Sequence, residues 1–554
     1  MSKTNNTKKI IHKTNSLLTI TAMVLASAMI TGCGMPQSNS SKYSPYHISG
    51  NSAAAKHKSS SSAAAKHKSN SSSASKHKSS SSAAKKVSIG CNIPTDQATT
   101  VSSAKISKDL LQGDSRFCSY AQKIVRGNQK SVSNNFHSRK TWYVDPSAGA
   151  TSGSSNSSGA TSSSNSSNGA TSNSSRADGS KAHPFSSIEK SISHLKAGDI
   201  LYLRGGTYSP SDTIELDKLH GTKNHYIQIA GYPGEKAIID GSGFAGKDRE
   251  LIQMEGSSYL WLQNISIQNF SGPKDVVAVM LCNSANHIII SDCEISEIKT
   301  DDPKKKDHTA NAIICYNTES TKKGSANNIL LFNNNIHDCK TGWSEAVTMD
   351  ENTEYANVVC NKVVNTGNIG IDFAGNYYDD CDSTDVAFCR HCLAYGNYVA
   401  DCIADDGITC YGIYADGAQD ITIHSNIVTR CSGGIEVGAE ETPDTDAHST
   451  RRVNVINNLV SDNLEKGITV GGYDTDTTGI VFDTLISHNT LINNAQKNTA
   501  DDGAEITISK VNGLKIQYNK IENSDKNMPV FSYDLGKKYV KNLSKAHNSI
   551  SHGN

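Results

Sequence analysis

The chain consists of short runs in which apolar and polar residues alternate, and one asparagine pattern punctuates them. An asparagine followed two places later by an apolar residue recurs at spacings of 27 to 36 residues, at Asn334, Asn361, Asn397, Asn426, Asn458, Asn489 and Asn519. A repeat of this length is typical of stacked units that cannot bury their apolar faces alone. The runs are rich in β-branched residues and too short for helices. The pattern therefore predicts an all-β fold, a parallel β-helix.

A second strand-like run follows most of these asparagines and opens with a Gly-Ile pair, at Gly370-Ile371, Gly412-Ile413, Gly434-Ile435 and Gly467-Ile468. Side chains alternate between the two faces of a strand, and neighbouring parallel strands lie about 4.8 Å apart. Each wall of a β-helix is therefore repeated in every coil. Residues that are far apart in sequence can be ordered into one site on such a wall.

Composition divides the chain into four segments. Residues 1–33 are predicted to be a lipoprotein signal peptide, and residues 34–140 a disordered Ser/Ala/Lys/His-rich linker that ends in a weakly structured lead-in. Such polar sequence cannot bury enough surface to fold. The β-helix is expected over residues 141–525, interrupted by a low-complexity loop at 149–175, and residues 526–554 are expected to form a C-terminal tail or cap.

One amphipathic helix is predicted near the start of the β-helix. Four apolar residues follow helical spacing after the low-complexity loop, namely Phe185, Ile188, Ile192 and Leu195. The end of a β-helix leaves an open strand edge, which proteins cover to prevent pairing with other chains. We therefore expect this helix to cap the N-terminal end of the stack.

The N-terminus carries the parts of an export signal. Four lysines precede an apolar run from Leu17 to Ile30, which ends in Ile30-Thr31-Gly32-Cys33. This ending resembles a bacterial lipobox, in which the cysteine is lipidated, so Cys33 is the predicted lipidation site. We expect a protein of the bacterial cell envelope, anchored at the extracellular face of the cell membrane or secreted. Its only membrane contact would be the lipid on Cys33.

Charge is unevenly distributed, although the formal net charge is zero. The first 90 residues hold 13 Lys and no Asp or Glu, which leaves 41 basic and 54 acidic residues from residue 91 onward. An acidic body disfavours nucleic acid, whose phosphates require clustered Lys and Arg. An acidic polymer could bind this body only through a metal ion or a local basic cluster.

Several motifs carry a family resemblance. At the start of the predicted β-helix they are Tyr143-Val144-Asp145, Asp178-Gly179-Ser180, Pro184-Phe185, Gly198-Asp199 and Arg204-Gly205-Gly206-Thr207-Tyr208. Further on they are Asn368-Ile369-Gly370-Ile371-Asp372, Gly412-Ile413-Tyr414-Ala415-Asp416-Gly417 and Gly434-Ile435-Glu436-Val437. These motifs resemble exported β-helix proteins related to the family nine polysaccharide lyases, which are pectate lyase-like. The resemblance implies a right-handed parallel β-helix that acts on polysaccharides.

Strand alternation predicts one outer wall of acidic and tyrosine side chains. Because Ile371 and Phe373 face the core, Asp372 faces outward. The same reasoning predicts a column of Asp372, Tyr414 and Glu436, with flanking positions at Glu345, Asp416, Glu440 and Tyr473. We expect a shallow acidic groove edged by tyrosines.

Carboxylates this close repel one another unless a cation, a shared proton or a facing base compensates. The predicted metal ligands Asp372, Asp416 and Glu436 offer only oxygen atoms, which suits Ca²⁺ rather than zinc. The resemblance implies a Ca²⁺-dependent lyase that removes the C5 proton of a uronic acid, after which the glycosidic oxygen leaves by β-elimination. The expected catalytic residues are Lys466, Glu436 and Glu440, and the expected substrate-binding residues are Tyr414, Tyr473 and Glu345.

The chain departs from the family pattern at two points. Family nine lyases carry aspartates where this chain has Asn368 and Ile369, and a Lys base where it has Glu436 or Thr469, so that Lys466 is the nearest substitute. Two other functions therefore stay open. One is a glycoside hydrolase or epimerase that uses paired carboxylates. The other is a non-catalytic glycan-binding or adhesive rod. In each case the partner is a polysaccharide, and we expect a monomer.

Overall fold

A computed structural model describes residues 110–127, 140–148, 177–246, 249–318, 324–377, 383–497, 503–523 and 525–552. The predicted signal peptide with Cys33, residues 34–109 of the predicted linker, and the low-complexity loop at 149–175 lie outside the described residues. The described residues from Thr141 onward form a parallel β-helix, because consecutive coils pair strand on strand in parallel register along its length. The predicted fold class is confirmed.

Three long sheets form the walls of the coil, with strands numbered in chain order. The first sheet contains β1 (Thr141–Val144), β2 (Ile200–Leu203), β5 (Ile227–Gly231), β8 (Ser258–Gln263), β11 (Asn286–Ser291), β14 (Ala326–Phe332), β17 (Thr353–Val359), β20 (Leu393–Tyr395), β23 (Thr422–His424), β26 (Asn454–Ile456), β30 (Leu485–Ser487), β34 (Lys515–Gln517) and β38 (Ser544–Ala546).

The second sheet contains β3 (Gly206–Tyr208), β6 (Ala237–Asp240), β9 (Ser266–Gly272), β12 (Glu294–Thr300), β15 (Asn335–Cys339), β18 (Lys362–Thr366), β21 (Tyr398–Ala400), β24 (Ile427–Thr429), β27 (Leu459–Ser461), β31 (Thr490–Ile492), β35 (Lys520–Asn523) and β39 (Ser549–His552). A small fourth sheet pairs β29 (Val481–Phe482), β33 (Val511–Asn512) and β37 (Val540–Lys541).

The third sheet contains β4 (Ile214–Glu215), β7 (Glu250–Glu255), β10 (Val276–Cys282), β13 (Ala310–Asn317), β16 (Val347–Glu351), β19 (Ile371–Phe373), β22 (Tyr411–Asp416), β25 (Gly433–Gly438), β28 (Lys466–Val470), β32 (Ala504–Ile508) and β36 (Phe531–Tyr533). Two α-helices are described, α1 (Ser115–Val125) and α2 (Ile188–Ile192), together with 3₁₀ turns at Gly241–Gly243, Thr384–Val386 and Lys537–Tyr539.

The asparagine repeat forms a hydrogen-bonded ladder inside the coil. From Asn334 onward, each side-chain Nδ2 donates to the Oδ1 of the next asparagine at 2.9 to 3.2 Å, and the ladder ends on Asn548. Each amide also donates to a backbone carbonyl, as Asn426 Nδ2 does to Ala394 O at 3.0 Å. Buried amides need such partners. The ladder therefore fixes the register between coils.

Helix α2 lies at the N-terminal end of the stack, where a capping helix was predicted. Ile188 is buried in the same core as Val144 and Leu201. The helix is shorter than its sequence pattern suggested, because Phe185 forms a parallel bridge with Val144 instead of joining it. Leu195 lies beyond the C-terminal end of the helix and is still buried. The predicted start of the helix at Phe185 is therefore wrong by three residues.

Helix α1 packs on the outside of the first sheet, within the segment predicted to be a weakly structured lead-in. Its buried residues Phe117, Ala121 and Ile124 join one apolar cluster with outward-facing residues of the sheet, including Trp261 and Ile289. The backbone leading into it is anchored as well, because Gln112 N–H donates to Asn357 Oδ1 at 2.8 Å.

The parallel array continues past the predicted boundary at residue 525. Strands β36, β38 and β39 pair with β32, β34 and β35 of the preceding coil. The described residues from 525 to 552 therefore form the C-terminal end of the array, where a tail or cap was predicted. The last coil is polar because nothing described stacks on its far side, and its β39 strand is exposed along its whole length.

Candidate active site

The predicted wall is the outer face of the third sheet between β16 and β32. Parallel pairing aligns Thr348, Asp372, Tyr414, Glu436 and Thr469 across five successive strands. Their neighbours along each strand, such as Ile371, Ile413 and Ile435, are completely buried in the core. The structure thus brings Asp372, Tyr414 and Glu436 into one row, and Asp416 lies opposite Gly438 in the next strand.

The wall is covered, which differs from the open groove expected from the sequence. Asp372, Asp416 and Glu436 expose only 3%, 1% and 6% of their surface. The loop after β19 brings Tyr377 over the wall, and the loop after β25 brings Glu440. Outward-facing carboxyl groups are therefore largely removed from water, and their ionisation becomes costly.

Asp416 is the carboxylate with the best set of hydrogen-bond donors. The hydroxyl of Tyr377 donates to its Oδ2 at 2.7 Å, and the backbone N–H of Glu440 donates to its Oδ1 at 2.7 Å. Burial raises the pKa of Asp416 to about 6, and these donors together with Tyr414 limit the rise because they stabilise the ionised form. These hydrogen bonds favour the ionised form of Asp416.

Glu436, one coil further on, is buried without the hydrogen-bond donors that surround Asp416. Burial raises its pKa to about 8, and the charge of Lys466 only partly offsets that rise. No hydrogen bond from a described residue reaches its carboxyl group. A Cβ atom at Gly438 would lie 2.8 Å from the Tyr414 hydroxyl oxygen and 3.3 Å from a Glu436 carboxyl oxygen, so glycine provides the space for both groups. The protonated form of Glu436 predominates at neutral pH.

Two further carboxyl groups lie on the side of β16 and β19. Burial raises the pKa of Glu345 to about 7, although the hydroxyls of Thr348 and Ser344 donate to its Oε2 at 3.0 and 3.1 Å. Burial and the neighbouring carboxylates, Glu345 first among them, raise the pKa of Asp372 well above its ordinary value. The Oδ1 atom of Asp372 is buried without a hydrogen-bond partner.

A calcium site requires several oxygen ligands that converge on one point. The unpartnered oxygen of Asp372 and its acidic neighbours are of the chemical type that Ca²⁺ binds. Within the described ranges, however, no three His, Cys, Asp or Glu side chains converge in a way that could hold a metal ion. The arrangement of Asp372, Asp416 and Glu436 therefore does not fit a shared ion as it stands, and calcium binding stays a prediction.

The remaining predicted residues lie at the edges of the same wall. Lys466 is 8% exposed, and its Nζ lies 3.9 Å from a carboxylate oxygen of Asp534. Tyr473 is 38% exposed, and burial together with Glu440 raises the pKa of its hydroxyl. Burial and Asp416 likewise raise the pKa of Glu440. All the predicted catalytic, substrate-binding and metal-binding residues thus come together, around Asp416 and Glu436.

Sequence reasoning missed Tyr377 and Tyr411. The hydroxyl of Tyr411 donates to Thr469 Oγ1 at 3.0 Å, and its ring covers Gly433, which has no room for a side chain. The sequence did contain a signal for Tyr411. It directly precedes a Gly-Ile pair, as Gly433 and Lys466 do, and the structure aligns these three residues across three strands. Tyr377 lies in a loop and follows no periodic pattern.

Comparisons with known proteins support the architecture. Residues 167–339 match the model of the Pel9A-like, right-handed β-helix region. The predicted resemblance is confirmed. The matched residues end before β16, so this similarity covers the N-terminal coils and not the acidic wall. Over the matched residues the chain is similar to a right-handed β-helix of the Pel9A-like kind.

Relatives of the chain include one from Bacillus subtilis (strain 168), "Uncharacterized protein YwoF", which is 29% identical over 327 residues, 57% of this chain and 66% of that protein. "Pectate lyase PEL9" of Emericella nidulans is 31% identical over 106 residues, 17% of this chain and 25% of that protein. The chain therefore spans just under two thirds of the first relative and a quarter of the second. A solved structure named "Glycoside hydrolase" has a TM-score of 0.46 at 10% identity and covers 74% of this chain and 96% of that one.

Proposed function

We propose that the protein is a carbohydrate-active enzyme that cleaves glycosidic bonds of a polysaccharide by acid–base catalysis at the wall around Asp416 and Glu436. One observation carries the proposal. Two carboxyl groups on adjacent coils have different environments: Asp416 accepts hydrogen bonds from the Tyr377 hydroxyl and the Glu440 N–H, whereas Glu436 is buried beside Lys466, so the pKa of Glu436 is raised further than that of Asp416. Such a separation assigns one group as base and the other as acid.

Protonated Glu436 is suited to donate its proton to the leaving glycosidic oxygen, and ionised Asp416 to activate the attacking water. Asp416 pairs with Gly438, two residues beyond Glu436, so the two carboxyl groups are diagonal neighbours on adjacent strands. A separation of about 5–5.5 Å between the two carboxyl groups would retain the anomeric configuration, and one of roughly 6.5–9.5 Å would invert it.

Calcium-dependent β-elimination is a second candidate, which two observations favour. One of the relatives is a pectate lyase, which suggests an acidic, uronic-acid-containing polymer as substrate. Lys466 also lies on the same wall as the carboxylates and carries the charge that acts on Glu436. In this candidate Lys466 would remove the C5 proton, and Asp372, Asp416 and Glu436 would have to move together to hold Ca²⁺, because they do not converge as they stand.

A product assay separates the candidates. The full chain is incubated with pectate, alginate, glycosaminoglycans and neutral glycans, with and without CaCl₂. New reducing ends without ultraviolet absorbance of an unsaturated sugar support hydrolysis. Unsaturated products that require CaCl₂ and disappear in Lys466→Ala support the lyase. Binding without either product would overturn both and leave a glycan-binding rod.

The cellular location is a separate part of the proposal. The lipobox supports export to the bacterial cell envelope and anchoring through a lipid on Cys33, a residue outside the described part of the chain. In the described residues, no helix is long and apolar enough to cross a membrane. Metabolic labelling with a fatty acid tests the anchor. Label on the natural chain and none on Cys33→Ala is the expected result, and equal labelling of both would contradict it.

A further inference from the structure

A cavity lies on a different wall from the acidic site, between helix α1 and the outer face of the first sheet. Its volume is about 650 Å³, which is within the range of small-molecule sites. The sheet contributes Tyr259 and His287 to its lining, Tyr226 precedes β5, and the helix contributes Phe117 and Tyr120. The acidic wall belongs to the third sheet, so the two sites do not share residues.

The interior of the cavity is aromatic. The rings of Tyr259 and His287 are stacked with centroids 4.2 Å apart and an interplanar angle of 21°. Tyr120 and Tyr226 form a second stack, with centroids 5.1 Å apart and 7° between the rings. Tyr259 is partly exposed and His287 exposes 13% of its side chain, and both residues line the cavity. Flat aromatic surfaces with polar edges suit the apolar faces and hydroxyl groups of a sugar ring.

The lining carries an excess of positive charge on an otherwise acidic body. Arg116, Lys123 and Lys223 are all exposed and line the cavity, and Asp114 is the one acidic residue among the lining residues described. The carboxylate of Asp114 is engaged with His287, whose Nε2 lies 2.9 Å from its Oδ2. Residues 91–554 as a whole hold 54 acidic and 41 basic residues. A local basic cluster is what an anionic ligand needs in order to bind such a body.

We propose that this cavity is a second carbohydrate-binding site, which takes an anionic sugar residue and holds an acidic polysaccharide on the surface away from the acidic wall. Exposed Lys123 and Lys223 attract the carboxylate or sulfate group, and the Tyr259–His287 stack supports the sugar ring. The choice of a sugar as the ligand rests on the proposed function. The site itself rests on the cavity, the aromatic stack and the basic lining.

Direct binding tests the proposal without depending on turnover. The full chain carrying Asp416→Asn is titrated calorimetrically with trigalacturonate, with a sulfated disaccharide, with cellotriose and with adenosine monophosphate. Trigalacturonate or the sulfated sugar should bind at a site additional to the wall, and the double change Lys123→Gln with Lys223→Gln should weaken binding at that additional site at least tenfold and leave binding at the wall unchanged. The matched control, Lys515→Gln with Lys526→Gln, removes the same charge from exposed positions elsewhere and should leave the affinity unchanged.

Each outcome decides the question. Preference for trigalacturonate identifies a carboxylate, preference for the sulfated sugar identifies a sulfate, and both support an anionic sugar site. Equal affinity in the cavity and control variants would overturn the proposal. So would binding of cellotriose or adenosine monophosphate as tight as that of the anionic sugars. Because loss of turnover in the product assay leaves this binding unaffected, failure of the proposed reaction and failure of this site are distinguishable.

Discussion

Replacing Glu436 with Gln should make the protein more stable at neutral pH, although it removes a proposed catalytic group. Burial raises the pKa of Glu436 from an ordinary value of 4.5 to about 8. Between these two values the folded state keeps a proton that the unfolded state releases, so stability falls as the pH rises. The stabilising effect of the raised pKa is fully present below about 4.5 and is lost as the pH rises through about 8.

The size of the effect follows from the same shift. One pKa unit corresponds to about 1.4 kcal/mol. At pH 7 the release of the Glu436 proton stabilises the unfolded state by roughly 3 kcal/mol, and the free energy of unfolding falls by the same amount. Gln has nearly the same shape and stays neutral at every pH. The Glu436→Gln variant should therefore match the natural protein near pH 4.5 and exceed it by about 3 kcal/mol at pH 7.

Thermal unfolding followed by circular dichroism at pH 5 and pH 8 measures this difference. The fall in Tm between the two pH values should be smaller by several degrees in Glu436→Gln than in the natural chain. Glu189→Gln, at an exposed position on α2, is the matched control and should keep the natural pH dependence. A Glu436→Gln variant that is destabilised equally at both pH values would refute the argument that burial sets the pKa of this group.

Two further predictions concern the neighbours of the acid–base pair and the coil itself. Tyr377→Phe removes the 2.7 Å hydrogen bond to Asp416 and should move the acidic limb of the pH–rate profile upward by about 0.5–1 unit, while the exposed Tyr518→Phe leaves it in place. An unmoved limb would show that Asp416 is not the titrating base. Asn426→Ala removes the acceptor of the backbone N–H and side-chain amide of Asn397 and the side-chain donor to Ala394 O, all of them buried, and should lower the free energy of unfolding by about 3 kcal/mol in urea denaturation. A loss as small as that of exposed Asn527→Ala would mean that the ladder adds little stability.

The fold could be predicted because its two main signals are periodic. The asparagines recur at one position of every coil, and the structure shows why, since each amide must pair with the amide of the next coil. The Gly-Ile pairs mark the strands of the third sheet for a similar reason. A Cβ atom at Gly412 would lie 2.4 Å from Val428 Cγ1, so this position requires glycine in a narrow part of the core.

Helix α1 was missed because its signal is divided between distant segments. Leu260-Trp261-Leu262 and Ile288-Ile289-Ile290 are continuous apolar triplets in strands that otherwise alternate. The first and third residues of each triplet face the core. The middle residues, Trp261 and Ile289, face away from the core and are covered by the helix. An apolar residue at an outward position was therefore evidence for a covering element. The short amphipathic pattern of 115–125 did not reveal which surface it covers.

The alignment of the wall followed from strand alternation, but its burial did not. Asp372, Tyr414 and Glu436 lie in one row because parallel strands in register repeat the same side. Their burial depends on loops that carry Tyr377 and Glu440, and loops have no period that a sequence can reveal. The resulting pKa separation between Asp416 and Glu436 is thus a property of tertiary structure alone.

The most direct test of the acid–base pair is turnover by Asp416→Asn and Glu436→Gln on the polysaccharide that the natural chain cleaves. The account predicts that each variant loses at least about a thousandfold in kcat while its affinity for the polymer is retained, since acid–base groups typically contribute about 10²–10⁴ each. Glu189→Gln should retain full activity. If either wall variant keeps more than a tenth of the natural kcat, the carboxyl groups around Asp416 and Glu436 are not the catalytic pair.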